Sequence, residues 1–147
     1  MFLFLRFTAR TGLPWAVFGI LMMLAPVEAL ACRCVEIGPS AAYPQAAAVV
    51  YARVLSVAPV PEGIGTVAAL DVRHAWKRNV MKSLSVVSLT DCAFEWQAEM
   101  EYILFLMEDA PNTYSTGKCL GNRPVDGAAD VRTWLDLHAT SADLLPN

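Results

Sequence analysis

The four cysteines are the residues whose type and spacing say most about chemistry. Two of them, in Cys32-Arg33-Cys34, are separated by a single residue, and the others follow singly at Cys92 and Cys119. Structural zinc sites usually show two Cys-x-x-Cys segments, which this chain lacks. We therefore favour two disulfides over a four-thiolate zinc site or a copper-binding Cys-x-Cys.

The spacing of the cysteines limits how they can pair. A bridge between Cys32 and Cys34 would close a strained ring across one residue, so two of the three pairings remain. In both, the Cys-Arg-Cys segment is tied to two distant parts of the chain, and the bridges dictate the position of Arg33. Each bridge closes a loop of roughly 60 to 90 residues, for which chain entropy gives at most about 4 kcal/mol of stabilisation.

The first 31 residues have the order of a secretory signal peptide. Arg6 and Arg10 precede an apolar run whose centre, residues 16–24, carries no charge, and small residues stand at Ala29 and Ala31. This order predicts cleavage after Ala31 and export, either by secretion or to a periplasm. The domain organisation is then a signal peptide over 1–31 and one domain over 32–147.

Two alternatives to simple cleavage stay open. An uncut signal anchor would tether the domain, but Pro14, Pro26 and Glu28 leave an apolar run too short for a span of about 20 residues. A lipoprotein would carry lipid on Cys32, but the preceding Ala-Leu-Ala has the leucine in the wrong place. Lipid on this sulfur would also prevent a disulfide. We therefore expect no stable membrane span after cleavage.

The charge of the mature chain excludes some partners. Removal of residues 1–31 leaves 116 residues with nine basic and thirteen acidic side chains, a net charge of −4 against −3 for the whole chain. Because no basic patch is visible, nucleic acid is not expected as a partner. No Ser/His/Asp or Cys/His arrangement can be assembled, so the chain is not predicted to be an enzyme, and no catalytic residue or cofactor is assigned.

The pattern of apolar residues predicts a mainly β domain. Residues 35–45 are irregular or form one short helix, 61–65 form a turn, and 108–117 form a polar loop. Strands are expected at 46–60, 70–77, 84–90, 92–96 and 102–107, the last of these apolar on both faces. Within 92–96, the side chains of Cys92, Phe94 and Trp96 are expected to face inward.

Two histidines and a helix complete this prediction. Leu70, Val72, His74 and Trp76 are assigned to one face of their strand, which makes His74 a core or barrel-end residue. Asp126 is expected to cap a helix whose apolar stripe is Val131, Trp134, Leu135 and His138. Five strands followed by a helix fit a partly open five-stranded barrel, with a two-sheet sandwich as the alternative.

Several short motifs, taken in order, resemble the tissue inhibitors of metalloproteinases. The match extends over most of residues 32–137, and its members are the Cys-x-Cys start, the run 47–54, Ala75-Trp76-Lys77, Cys92-Ala93-Phe94, the run 101–105, and Thr116-Gly117-Lys118-Cys119. The resemblance implies an oligonucleotide/oligosaccharide-binding (OB) type Greek-key barrel of the netrin-like kind. It also implies the pairing Cys32–Cys92 and Cys34–Cys119.

The resemblance further implies a function for the N-terminus. The α-amine and carbonyl of a leading Cys32 would chelate the zinc of a metalloprotease, and the residue after it, Arg33, would enter the pocket beside the metal. The metal would belong to the protease, and this chain would bind none itself. The family has a small hydroxyl residue where this chain has Arg33, and a guanidinium in an apolar pocket is costly unless paired.

Three functional hypotheses follow. The first is an exported metalloendopeptidase inhibitor whose site is Cys32, Arg33 and Cys34. The second is an exported interaction module, built on the same barrel, that binds another exported protein without inhibiting it. The third is a thiol or metal-handling protein that uses Cys32 and Cys34.

Overall fold

The computed structural model describes residues 32–90 and 92–139, together with the backbone of Leu144–Leu145. The predicted signal peptide, residues 1–31, lies outside the described residues. Two helices are present, α1 (Pro39–Gln45) and α2 (Ala129–His138). The strands are β1 (Ala48–Pro59), β2 (Gly65–Lys77), β3 (Val80–Met81), β4 (Ser83–Leu89), β5 (Glu101–Ala110), β6 (Thr113–Ser115), β7 (Arg123–Pro124) and β8 (Leu144–Leu145).

Five of these strands close into a barrel. Their order is β1-β2-β4-β6-β5, and the pairing of β1 with β5 completes the circle. All neighbours are antiparallel except β4 and β6, which run parallel because β6 returns between β4 and β5. This is the predicted five-stranded OB-type Greek-key barrel with a C-terminal helix and two disulfides, and it replaces the alternative of a two-sheet sandwich.

The barrel interior is filled by alternate residues of its strands. Small and branched side chains dominate because five strands enclose little space. The buried set is Ala48, Val50, Ala52 and Val54 on β1, Ala68, Leu70, Val72 and Ala75 on β2, Leu84 and Val86 on β4, Tyr102, Leu104 and Leu106 on β5, and Tyr114 on β6. The alternation predicted for residues 70–77 is confirmed for Leu70 and Val72.

A second apolar cluster lies outside the barrel, under the two helices. The opposite face of β5 contributes Ile103 and Phe105, which confirms that β5 is apolar on both faces. α2 contributes Val131 and Leu135, two members of the predicted stripe, whereas Trp134 is only half-buried. Both helices thus cover one side of the barrel wall.

The fifth strand of the barrel was predicted in the wrong place. Residues 92–96 form no strand, and the fifth barrel strand is β6, inside the segment predicted to be a polar loop. Phe94 and Trp96 nevertheless pack against the barrel core. Their alternation therefore reported burial correctly, although the backbone of this segment is irregular.

The predicted face of His74 is also wrong. The pairing of β1 with β2 shifts between Tyr51 and Ala52, where β2 contributes one extra residue, Arg73. An extra residue moves every following side chain to the other face. His74 is consequently exposed, and its ring packs edge-on against Trp76 with centroids 4.7 Å apart.

Asp126 does not cap α2, contrary to the prediction. The helix begins at Ala129 after Ala128, which makes no side-chain cap, and Asp126 lies exposed in the preceding turn. Instead, α2 is fixed near its C-terminal end, where the Trp76 indole N–H donates a 2.7 Å hydrogen bond to the Asp136 carboxylate. In the described part of the chain, neither helix has the length and apolar character needed to cross a bilayer.

The anchoring of α2 gives a stability prediction. Leu135 is fully buried, whereas Leu137, two residues further along the same helix, is 75% exposed. Leu135→Ala should lower the free energy of unfolding by about 2–5 kcal/mol through lost burial and a residual cavity, and Leu137→Ala should change it by less than about 0.5 kcal/mol. Denaturant unfolding with intact disulfides measures both. Equal effects would contradict the assignment of the buried face.

Candidate functional site

Residues 32–36 form a segment without regular secondary structure, called here the N-terminal segment, that two disulfides attach to the barrel. Cys32 is bonded to Cys92 and Cys34 to Cys119, with Cα–Cα distances of 5.4 and 4.9 Å. This agrees with the pairing that the family resemblance implies. The first and third residues of the segment are therefore fixed to two separate loops.

The two bridges determine which side chains of the segment face outward. Cys32 and Cys34 are half-buried, whereas Arg33 and Val35 are exposed, with Val35 at 82%. The bridges therefore hold the two cysteines toward the barrel, while Arg33 and Val35 face solvent.

The sulfur atoms of the two bridges lie close together. Cys32 Sγ is 3.9 Å from Cys119 Sγ, and the sulfurs of Cys32, Cys34 and Cys119 are all within 4.8 Å of one another. All four cysteines are in disulfides. In this form none offers the thiolate that metal binding or nucleophilic attack requires, and the Cys32 sulfur is not available for a lipid.

The loop that carries Cys92 is held by a strained residue. Thr90 has φ +73°, a left-handed conformation that is unfavourable for a β-branched side chain. Three hydrogen bonds stabilise it: the Thr90 N–H donates to the Ile64 carbonyl, and Thr90 Oγ1 and its carbonyl accept from the N–H groups of Cys92 and Ala93. This turn directs the chain from the end of β4 toward Cys32.

The loop that carries Cys119 is held by a buried polar network around Asn122. The Asn122 side chain accepts from the Phe105 N–H at 2.8 Å and donates to Thr116 Oγ1 at 2.8 Å and to the Gly117 carbonyl at 2.9 Å. Thr116 Oγ1 in turn donates to the Phe105 carbonyl at 3.0 Å. Both side chains are buried, so the loop is bonded to β5 by groups that water does not reach.

The two loops are also bonded to each other. The Lys118 N–H donates to the Cys92 carbonyl at 3.0 Å. Ser88 Oγ, at the end of β4, donates to the Thr116 carbonyl and accepts from the Phe94 N–H. Because each disulfide attaches to one of these connected loops, the N-terminal segment, both loops and the barrel wall form one bonded unit.

An aromatic cluster supports this end of the barrel. Phe94, Trp96 and Tyr102 contact one another edge-on, with centroid separations of 4.8, 5.3 and 6.3 Å. Such edge-to-face pairs are favourable beyond the area that they bury. They hold the segment after Cys92 against the barrel without a regular strand.

Two acidic residues near the 97–101 turn have partners on β1. Glu99 pairs with Arg53, and the Glu101 carboxylate accepts a 2.6 Å hydrogen bond from the Tyr51 hydroxyl. This hydrogen bond, followed by burial, raises the pKa of Tyr51 above its usual value. Both carboxylates are therefore bonded outside the N-terminal segment.

No protein-family model and no curated protein matches this sequence. The sequence pointed to the cysteines and Arg33, but it did not predict the roles of Thr90, Thr116 and Asn122, which depend on backbone groups that no residue pattern reveals.

The Asn122 network gives a second stability prediction. Asn122→Ala would leave the buried Phe105 N–H and the Gly117 carbonyl without this partner, so the free energy of unfolding should fall by about 1–3 kcal/mol. Gln45→Ala removes an exposed amide and should change it by less than about 0.5 kcal/mol. Denaturant unfolding distinguishes the two. A neutral Asn122→Ala would show that the network does not hold the loop.

The strain at Thr90 predicts a substitution that increases stability. Asparagine tolerates the left-handed conformation and keeps a side-chain oxygen for the Cys92 N–H. Thr90→Asn should therefore raise the free energy of unfolding by about 0.5–1 kcal/mol. Thr113→Asn, at an exposed position of β6, should lower it slightly because threonine suits a strand. Thermal or denaturant midpoints measure both, and a destabilising Thr90→Asn would contradict the assigned strain.

Proposed function

We propose that the mature protein begins at Cys32 and inhibits an exported zinc metalloendopeptidase, in the manner of the tissue inhibitors of metalloproteinases. The observation that carries the proposal is the N-terminal segment itself. It is fixed to the barrel at its first and third residues, and it projects Arg33 and Val35 outward.

The proposed chemistry lies in the backbone of Cys32. A catalytic zinc keeps one coordination position for water or substrate. The neutral α-amine of Cys32 and the carbonyl oxygen of the same residue form a two-point chelate that displaces this water. A free α-amine has an ordinary pKa of about 7.7–8.0, so zinc binding competes with protonation near neutral pH. The protease supplies the metal, and this chain supplies two donor atoms.

The proposed mechanism requires a rigid N-terminus. Binding a flexible peptide loses conformational entropy, and restraining it beforehand reduces that loss. Here Cys32 is attached to the loop at Cys92, and Cys34 to the loop that Asn122 bonds to β5. Both attachments restrain the chelating residue before it meets the protease.

The fold and the cysteine pairing also support the proposal. The barrel has the OB-type strand order, the helices cover one side, and the disulfide partners are those that the resemblance implies. Paired cysteines are typical of oxidising compartments, which agrees with the predicted signal peptide and with a secreted or periplasmic protein.

A second candidate function is an exported interaction module without inhibitory activity. Arg33 favours it, because a guanidinium is poorly accommodated in the apolar pocket that the family's targets offer. This module would bind its partner through the outward face of the N-terminal segment and would not need a free amine. The two functions therefore differ in how they respond to an extra residue before Cys32.

The test compares three versions of the mature protein against purified zinc metalloendopeptidases. One begins at Cys32, one carries an added alanine before Cys32, and one carries the added alanine after Asn147. The first and third should inhibit equally, and the second should lose at least about tenfold in inhibition constant because the amine moves away from the zinc. Identical unfolding curves would establish that the fold is unchanged.

The contrary outcomes are distinct. Equal inhibition by all three versions would show that the chelate is not used. Absence of inhibition by every version would overturn the inhibitor proposal. Tight binding of an exported protein by the alanine-extended version, without inhibition, would favour the interaction module.

A further inference from the structure

Arg33 differs from the other arginines of the described chain. Six arginines lie in residues 32–90 and 92–139, and among the described residues Arg33 alone faces no carboxylate. The pairs formed by the others are Arg53–Glu99, Arg73–Asp71, Arg78–Glu108, Arg123–Glu36 and Arg132–Asp136.

The charges nearest to the disulfides cancel in pairs. Arg123 lies 2.5 Å from the carboxylate of Glu36, within the N-terminal segment, and Lys118 lies 3.1 Å from that of Glu95. The guanidinium of Arg33, by contrast, forms no ion pair with a carboxylate of the described residues. The mature chain is otherwise acidic overall, with a net charge of −4.

Arg33 lies between the two cysteines that the bridges fix, and the next outward residue, Val35, is 82% exposed. An arginine held in this way beside an exposed apolar side chain has the composition of a contact surface for a protein.

The family resemblance places Arg33 in the pocket beside the metal, and we infer that the partner is a zinc protease whose pocket there contains a carboxylate, so that Arg33 selects this class of protease. This inference rests on the proposed function and names the class of protease to which it applies. Docking removes Arg33 from water, and a desolvated guanidinium binds stably only where a carboxylate meets it. The planar guanidinium suits a two-point contact with that carboxylate, which a lysine cannot reproduce.

The experiment uses two proteases that differ at one pocket position. The parent is a purified zinc metalloendopeptidase with an apolar pocket beside its zinc, and its variant has one apolar pocket residue replaced by glutamate. The inhibitors are the mature protein, Arg33→Leu and Arg33→Lys. Arg132→Leu is the matched control, because it removes an exposed arginine from α2, outside the N-terminal segment.

The inference predicts a reversal of preference. The mature protein and Arg132→Leu should inhibit the glutamate variant at least about 30-fold more tightly than the parent, the size expected for a buried charge pair. Arg33→Leu should prefer the parent, and Arg33→Lys should keep only part of the preference for glutamate. Asp91→Asn, next to Cys92 in the sequence and outside the described residues, should behave like the mature protein.

Two negative outcomes separate the inference from the proposed function. If the mature protein and Arg33→Leu inhibit both enzymes with the same ratio of inhibition constants, the specificity role of Arg33 is wrong while inhibition stands. If neither protein inhibits either enzyme, the proposed function is wrong and the inference is overturned with it.

Discussion

The attachment of the first and third residues of the N-terminal segment to two distant loops is the constraint on which this structure depends. The bridges span 60 and 85 residues of sequence. Loops of this length reduce the entropy of the unfolded chain enough for each bridge to contribute about 4 kcal/mol in the chain-entropy model. The native state uses the same bonds to hold an irregular segment that has no strand partner of its own.

The barrel supplies a rigid base for these bonds, and the two faces of its strand β5 pack in different apolar clusters. One face of β5 fills the interior, while the other packs under the helices. The backbone of Phe105, in the same strand, bonds to Thr116 and Asn122 and so holds the loop of Cys119. A single central strand therefore joins both apolar clusters to the end of the molecule that carries the disulfides, and buried hydrogen bonds restrict movement of the Cys119 loop relative to the barrel.

The sequence predicted the fold well where burial alone determines structure. β1, β4 and β5 follow their apolar patterns, and α2 follows the stripe of Val131 and Leu135. Prediction failed where backbone hydrogen bonds determine the local structure. The alternation at 92–96 reflects packing without a strand, the short β6 carries too few residues to form a pattern, and the extra residue Arg73 in β2 reverses the face of His74.

The candidate site was predictable in composition but not in geometry. Cysteine spacing identified Cys32 and Cys34. The ion pairs of the other arginines were not predictable, because they join residues far apart in the sequence; Arg123 and its partner Glu36 are 87 positions apart. Under the proposed function, export creates the active molecule. Cleavage produces the α-amine of Cys32, and an oxidising compartment forms the bridges that hold it. Since neither step takes place in a reducing cytoplasm, the precursor would have no inhibitory N-terminus there.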